Sequence, residues 1–391
     1  MVNSLFGAAG TSIFEAMSRL SAETGSINLG QGFPEALEPQ ELIEAAVAAL
    51  REGPHQYPPM MGIPALRKAV ADNTQRFFGE AIDWEREVLV TSGATEALAD
   101  AFFGLLDSGD EAIVLEPVYD AYNMLIRRAG GVPVPVRLEP PHWDLTAEKL
   151  EAAITPRTRI IVLNTPMNPI GKIFDADELA ALRDVVLKHG LTIVSDEVYE
   201  HLVFDGARHN SPFFLPELRA RTVRIGSAGK TFSVTGWKVG YVTADARLLQ
   251  PIARAHQFIT FTTPPALQAA VAVGLNLPDS YFDGLKTGLA VRRDRLVAGL
   301  QRAGFAVDPV QATYFAVADR TAFAPDEDDL EFSRRLTLEA GVTPVPISSF
   351  YGKRDVTSHV RFCFAKRTDT LEEAVRRLSA WRDRQRWKVA S

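Results

Sequence analysis

A lysine framed by small residues is the first feature of this sequence with an obvious chemical use. The stretch Arg224–Ser233 reads RIGSAGKTFS, so Lys230 follows Ser227, Ala228 and Gly229 in a chain with ten lysines and 32 arginines. Lysine, unlike arginine, sheds its proton when desolvated and then serves as an amine nucleophile. Small neighbours allow a bulky ligand to approach the backbone. In isolation the motif reads equally well as a flexible turn with a solvated lysine. The GKT triplet is not a P-loop, because Arg224 stands where that motif needs its first glycine. Three further stretches have similar potential. Ser195–Tyr199 (SDEVY) offers two carboxylates, Asp196 and Glu197, and the phenol of Tyr199. Thr91–Leu98 (TSGATEAL) sets Gly93, Ala94 and Thr95 at a predicted helix start, where free N–H groups and the helix dipole face an anion. The same stretch also fits an ordinary helix cap with a capping-box glutamate. Asn164–Gly171 (NTPMNPIG) presents Asn164 and Asn168 in a turn shaped by Pro166 and Pro169.

These stretches need a scaffold that brings them together. Short β-branched runs occur at Glu87–Thr91, Ala112–Glu116, Val132–Arg137, Arg159–Asn164, Leu191–Ser195, Thr222–Gly226 and Val239–Thr243. Several are separated by segments of helical period, such as Asp177–His189, which Gly190 closes. The alternation predicts an α/β fold with a mostly parallel sheet covered on both faces. Such sheets bind ligands beyond the carboxyl ends of their strands, and the four stretches fall there. After Asp245 the pattern changes. Helices are predicted at 245–258, 265–272, 280–303, 326–340 and 369–384, and short strands at Tyr314–Val317, Val342–Val345 and His359–Phe364. This reads as a smaller α+β domain, with the segment up to about Glu38 packing onto one of the two bodies.

An anion-binding helix start, an amide, an acid with a phenol and a lysine, all at strand ends of one sheet, suit pyridoxal 5′-phosphate. The lysine forms a Schiff base, an acid keeps the pyridine nitrogen protonated, and the amide and phenol bond the ring's 3′ oxygen. Composition removes other classes. With a net charge of −7, the chain lacks the basic excess of a general nucleic-acid binder. One cysteine, Cys363, excludes an intrachain disulfide and fits a reducing compartment. No run reaches the roughly 18 apolar residues of a membrane span, and Met1–Gly10 has no secretory pattern. Cytoplasm is therefore expected. No HExxH or CxxC occurs, so no metal site is expected.

The order of these motifs resembles the class I, fold-type I pyridoxal-phosphate aminotransferases. It is most similar to the branch of kynurenine/glutamine transaminases and methionine aminotransferases. The resemblance extends from about Ser12 to Arg377. Its remaining stretches are Ile27–Pro34 (INLGQGFP), Gln56–Arg67 (QYPPMMGIPALR), Glu116–Tyr122 (EPVYDAY), Ser227–Gly240 and Val360–Phe364 (VRFCF). It implies a seven-stranded large domain over 42–285 and a small domain from 1–41 plus 286–391. It also implies that Lys230 is the Schiff-base lysine and proton shuttle, and that Asp196 pairs with the pyridinium nitrogen. Asn168 and Tyr199 would contact the ring oxygen and Tyr119 would stack on the ring. Gly93, Ala94, Thr95, Ser227 and Lys238 would hold the phosphate. Tyr57 would reach the phosphate of a second subunit in a homodimer. Arg361 would clamp the substrate carboxylate, with Gly32 and Asn168 beside it.

The sequence departs from the family motif at Ile170, where NPxG usually carries threonine. The matched pocket positions Phe14, Phe261, Thr262 and Phe350 contain no second arginine, which favours a neutral substrate side chain over an acidic one. The alternative on the same residues is a lyase that eliminates a β-substituent such as a thiol. A cofactor-sensing transcription factor would need a DNA-binding module ahead of Ser12.

Overall fold

A computed structural model describes residues 3–7, 10–35 and 38–390. Seven strands form one sheet: β1 (Val88–Thr91), β2 (Glu111–Glu116), β3 (Val132–Arg137), β4 (Thr158–Asn164), β5 (Thr192–Asp196), β6 (Thr222–Ser227) and β7 (Gly240–Thr243). Their order is β1-β7-β6-β5-β4-β2-β3. β7 pairs antiparallel with both neighbours and every other pairing is parallel. Each strand lies within a residue or so of its predicted run. β1, β2, β6 and β7 are buried along their whole length, as apolar strands between two helical layers must be. β3 is the exception. It reads VPVPVR, is partly exposed and pairs only with β2. Pro133 and Pro135 cannot donate to a ladder, which confines the strand to an edge and keeps that edge from recruiting another strand.

The chain after β7 builds a four-stranded antiparallel sheet from Val345–Pro346, His359–Cys363, Phe315–Asp319 and Ala306–Val307. The predicted strand Val342–Val345 is split at Pro344. Val342–Thr343 pairs in parallel with Ile27–Asn28, whereas Val345–Pro346 joins the four-stranded sheet. Proline removes the N–H that a continuous ladder would use. The Ile27–Asn28 pairing also shows how the N-terminal segment attaches. Among the described residues no helix is long and apolar enough to cross a membrane.

Candidate active site

The carboxyl ends of β1, β2, β4, β5 and β6 share one edge of the large sheet. Since β7 runs the other way, its first residue, Gly240, is at that edge too. Lys238, two residues earlier in the chain, therefore meets the helix that follows β1. Register sets the meeting, because Thr91 pairs with Gly240. A cavity of about 200 Å³ opens here, and its walls include residues at or just beyond the ends of all six strands.

One end of the cavity is built for an anion. The helix Ala94–Leu105 begins at Gly93, whose φ of 86° favours glycine, and no side chain caps it. Glu96 does reach back, but it takes the Ser92 N–H and leaves the first N–H groups of the helix open. Ala94 and Thr95 line the cavity at that point, with Ser227 and Lys238. A Cβ on Gly93 would lie 3.2 Å from Lys238 Nζ, so the glycine gives the ammonium room beside the helix start. Uncapped N–H groups, a helix dipole and a cation together favour a phosphate.

Asp196 ends β5 and lines the same cavity. Burial pushes its carboxyl up to about 6, opposed by the hydrogen bond from Tyr122 and by the charge of Lys230. It is therefore mostly ionised at neutral pH. Tyr122 Oη donates to Asp196 Oδ2 at 2.6 Å, while Oδ1 receives only a long bond of 3.4 Å from the Val198 N–H. Asn164 holds the loop after β4: its amide donates to the Asp196 carbonyl and its Oδ1 accepts the Asn168 N–H. Tyr119 and Tyr199 also line the cavity, and burial raises both phenols above their ordinary pKa, so both keep their protons.

Lys230 lies on the short helix Ala228–Thr231 after β6. Burial is the main cause that brings its amine down to about 8, against the pull of Asp196. About one lysine in ten is then neutral at pH 7, against roughly one in several thousand at the usual value. Lys230 Nζ donates to Tyr314 Oη at 3.2 Å, and Tyr314 donates to the Gly32 carbonyl at 2.7 Å. Of the small residues around the lysine, Ser227 and Gly229 line the cavity, and the glycines also serve packing. A Cβ on Gly226 would enter the Tyr241 ring, and one on Gly229 would lie 2.9 Å from Thr235 Cα.

Arg361 comes from the middle of the strand His359–Cys363 and is 1% exposed. Its guanidinium lies 3.9 Å from the Phe315 ring and 5.3 Å from those of Phe14 and Phe350. It donates to Asn168 Oδ1 at 2.7 Å and to the Gly30 carbonyl at 2.8 Å, and its Nε–H is buried without a partner. Burial lowers its pKa to about 10, which leaves it a cation at any working pH. Asn168 thus joins the arginine to the cavity. Gly32 contacts the same cluster through Phe315, whose ring a Cβ would meet at 2.8 Å.

Of the expected residues that do not line this cavity, Gly32, Phe14, Phe350 and Arg361 form the adjoining cluster just described, and Tyr57, Phe261 and Thr262 stay apart from it. Tyr57 is 83% exposed and packs edge-on against Phe261, which is 40% exposed, at 5.5 Å; Thr262 follows it. Ile170 is buried with Met167, Phe174 and Leu163, so the unusual side chain in NPxG faces a core and leaves Asn168 in place. Tyr122 and Tyr314 were not singled out in the sequence. Only the spacing of Tyr119 and Tyr122 could have pointed to the first, and nothing local marks the second. Glu96, Asp100 and His256 also bring possible ligand atoms within 4.8 Å of one another. His256 Nε2 bonds the Met60 carbonyl and Nδ1 meets Glu96, which ties the helix after β1 to the loop that carries Tyr57.

Comparison with known proteins agrees with this geometry. Residues 24–378 match the family model described as aminotransferase class I and II. The chain is 42% identical over 385 residues to the probable N-succinyldiaminopimelate aminotransferase DapC of Mycobacterium tuberculosis, covering 96% of this chain and 97% of that one. It is 38% identical over 369 residues to the methionine aminotransferase of Escherichia coli, covering 94% and 95%. The crystal structure of YbdL from Escherichia coli, for which a methionine aminotransferase function is described, superposes with a TM-score of 0.94 at 38% identity, covering 97% and 99%. The chain belongs to the class I and II aminotransferases.

Proposed function

We propose that this enzyme uses pyridoxal 5′-phosphate to move an amino group between a neutral L-amino acid and a 2-oxo acid. The observation that carries the reading is the low-pKa amine of Lys230 in one cavity with the Asp196 carboxylate and an uncapped helix start. The residues fit the cofactor. Gly93, Ala94, Thr95, Ser227 and Lys238 would hold its phosphate, Asp196 its ring nitrogen, Asn168 and Tyr199 its ring oxygen, and Tyr119 its ring face. When bound, the cofactor supplies a carbonyl that takes up amines and a ring that stores the electron pair released at the substrate α-carbon.

The protein's own part follows from its side chains. Asp196 stabilises positive charge at the ring nitrogen. Lys230 Nζ, poised near neutrality, takes the proton from the substrate α-carbon and returns it two atoms along, beyond the nitrogen. Arg361 exchanges protein hydrogen bonds for the substrate carboxylate and so fixes which bond at the α-carbon faces the lysine. An assay for oxo-acid formation with and without an acceptor oxo acid tests the reaction type. Product that requires the acceptor supports transfer, and product independent of it points to elimination.

The ring cluster supports a neutral side chain. Phe14, Phe315 and Phe350 surround Arg361, and Lys230 and Lys238, the cations of the cavity wall, are already given other roles. Arg19 is paired with Glu15. A buried second carboxylate without a partner would cost several kcal/mol, more than the ~1–3 kcal/mol gained from an added apolar group. With one oxo-acid acceptor, kcat/KM for methionine, phenylalanine, glutamine or kynurenine should exceed that for aspartate by about tenfold or more. N-Succinyldiaminopimelate belongs in the panel because of the mycobacterial relative. If it or aspartate leads by tenfold, a cation faces the side chain and the neutral assignment fails.

We also infer a cytoplasmic homodimer with shared sites, each chain divided into a large body over 42–285 and a small one from 1–41 and 286–391. Support for the dimer comes from Tyr57, Phe258 (85% exposed), Ile259 and Phe261, large apolar side chains left exposed. In a two-fold dimer, mixing inactive Lys230→Ala with an inactive Tyr57→Phe/Thr262→Arg variant leaves one intact site in each hybrid. Random exchange should then restore about a quarter of wild-type activity. A fully active monomer in sedimentation at assay concentration would overturn the shared site.

A further inference from the structure

We infer that Tyr122 is a positioning residue for Asp196, its phenol holding the carboxylate in one orientation and in its charged form; this rests on the reading of Asp196 given above. Tyr122 is the third residue of the helix Asp120–Arg128, and Tyr119 immediately precedes that helix. A spacing of three places both on one side, and their rings meet edge to face at 5.6 Å and 81°. The wall proposed to stack on the ring and the anchor of its charge partner thus sit at the start of one helix and touch each other. Tyr122 is 3% exposed, and its hydroxyl stands 2.6 Å from Asp196 Oδ2. Burial and the adjacent carboxylate hold the phenolic proton firmly, so Tyr122 is always the donor. O–H bonds to a carboxylate are short and about twice as strong as neutral ones.

The surroundings of Asp196 make this bond decisive. Tyr119 and Tyr199 face it as neutral phenols, and Lys230 faces it as the nearby cation. Glu197 opposes its ionisation, although the charge of Glu197 is itself met by His209 and Arg224. Burial works against the carboxylate, and the Tyr122 hydrogen bond is the largest influence in its favour. Replacing tyrosine by phenylalanine keeps the ring and removes only that donor. Oδ2 then becomes a buried anionic oxygen without a hydrogen bond, and Asp196 takes up a proton more readily. The sign is fixed: a carboxyl whose pKa rises is neutralised at a higher pH as acid is added, so its grip on a protonated ring nitrogen is lost earlier.

The test is retention of pyridoxal 5′-phosphate by the holoenzyme, dialysed across pH 5–8 and read by cofactor absorbance, with thermal melting as a check on folding. Tyr122→Phe should release cofactor at a pH about one unit above wild type. In the Asp196→Asn background the same substitution should change nothing further, because the group it acts through is gone. A Tyr122→Phe curve that superposes on wild type overturns the inference, as does an equal shift in the Asp196→Asn background. Wild-type turnover in Asp196→Asn alone would remove the reading of Asp196 itself, a failure seen without any change at Tyr122.

Discussion

Lys230→Ala should lack any borohydride-reducible link to the cofactor and should lose about 10⁴-fold or more in turnover, while its melting temperature stays close to wild type. In the proposed role the side chain is both the amine that attaches the cofactor and the base that moves the α-proton, and general base catalysis alone is worth roughly 10²–10⁴-fold. Its one side-chain hydrogen bond goes to Tyr314, which keeps its own bond to the Gly32 carbonyl when the lysine is removed. No charge is stranded by the change beyond Asp196, which still has Tyr122. In wild type, attachment of the cofactor to the apoprotein should accelerate as pH rises through about 8, where the amine loses its proton. Reducible cofactor in the alanine variant would mean that a different lysine carries it.

Asp196→Asn should fold and bind some cofactor but turn over about 10²–10³-fold more slowly, the size of effect seen when one preorganised electrostatic partner is removed from a site. An amide of nearly the same shape still accepts from Tyr122 and leaves the backbone carbonyl to Asn164 and Thr165. What it lacks is the negative charge that makes a protonated ring nitrogen favourable in a buried place. Steady-state rates near wild type would sink the pairing. A large fall in melting temperature would show that the carboxylate serves the fold instead.

The strand runs were legible because a two-sided sheet demands unbroken apolar, β-branched segments, and little else in the chain looks like them. Pro133 and Pro135 offered an equally direct sign of the edge strand that the pattern of runs alone passes over. The candidate site was legible where its residues fall at or just beyond a strand end: Gly93, Asn168, Asp196 and Lys230 are so placed and all line the cavity. What the sequence did not show was set by distant contacts. Tyr314 meets Lys230 across 84 positions, and nothing near either residue announces it. Pro344 offered a break in the Val342–Val345 run, but the choice of two different partner strands depends on where Ile27 and Arg361 arrive. The small residues around Lys230 suggested room for a ligand; Ser227 and Gly229 do line the cavity, whereas Gly226 makes way for Tyr241. A lone sequence cannot tell which neighbour a missing side chain makes way for. Tyr57 and Phe261 remain outside the cavity of one chain, so their roles could be approached only through the family pattern.

The reversed direction of β7 bears on which changes of length the chain can absorb. Lys230 and Lys238 stand at the two ends of the turn between β6 and β7, so both anchors of that turn face the ligand cavity. An inserted residue there displaces the amine, the ammonium, or both, and a slip of one position between β1 and β7 would turn every side chain of the strand to the opposite face. The connections at the far edge of the sheet, such as Asp107–Asp110 before β2 or Ala152–Arg157 before β4, touch no wall of the cavity. Growth, tagging or fusion by natural variation or by design therefore has its free ground at that far edge, and the turn after Lys230 is where the chain has least licence to change its count.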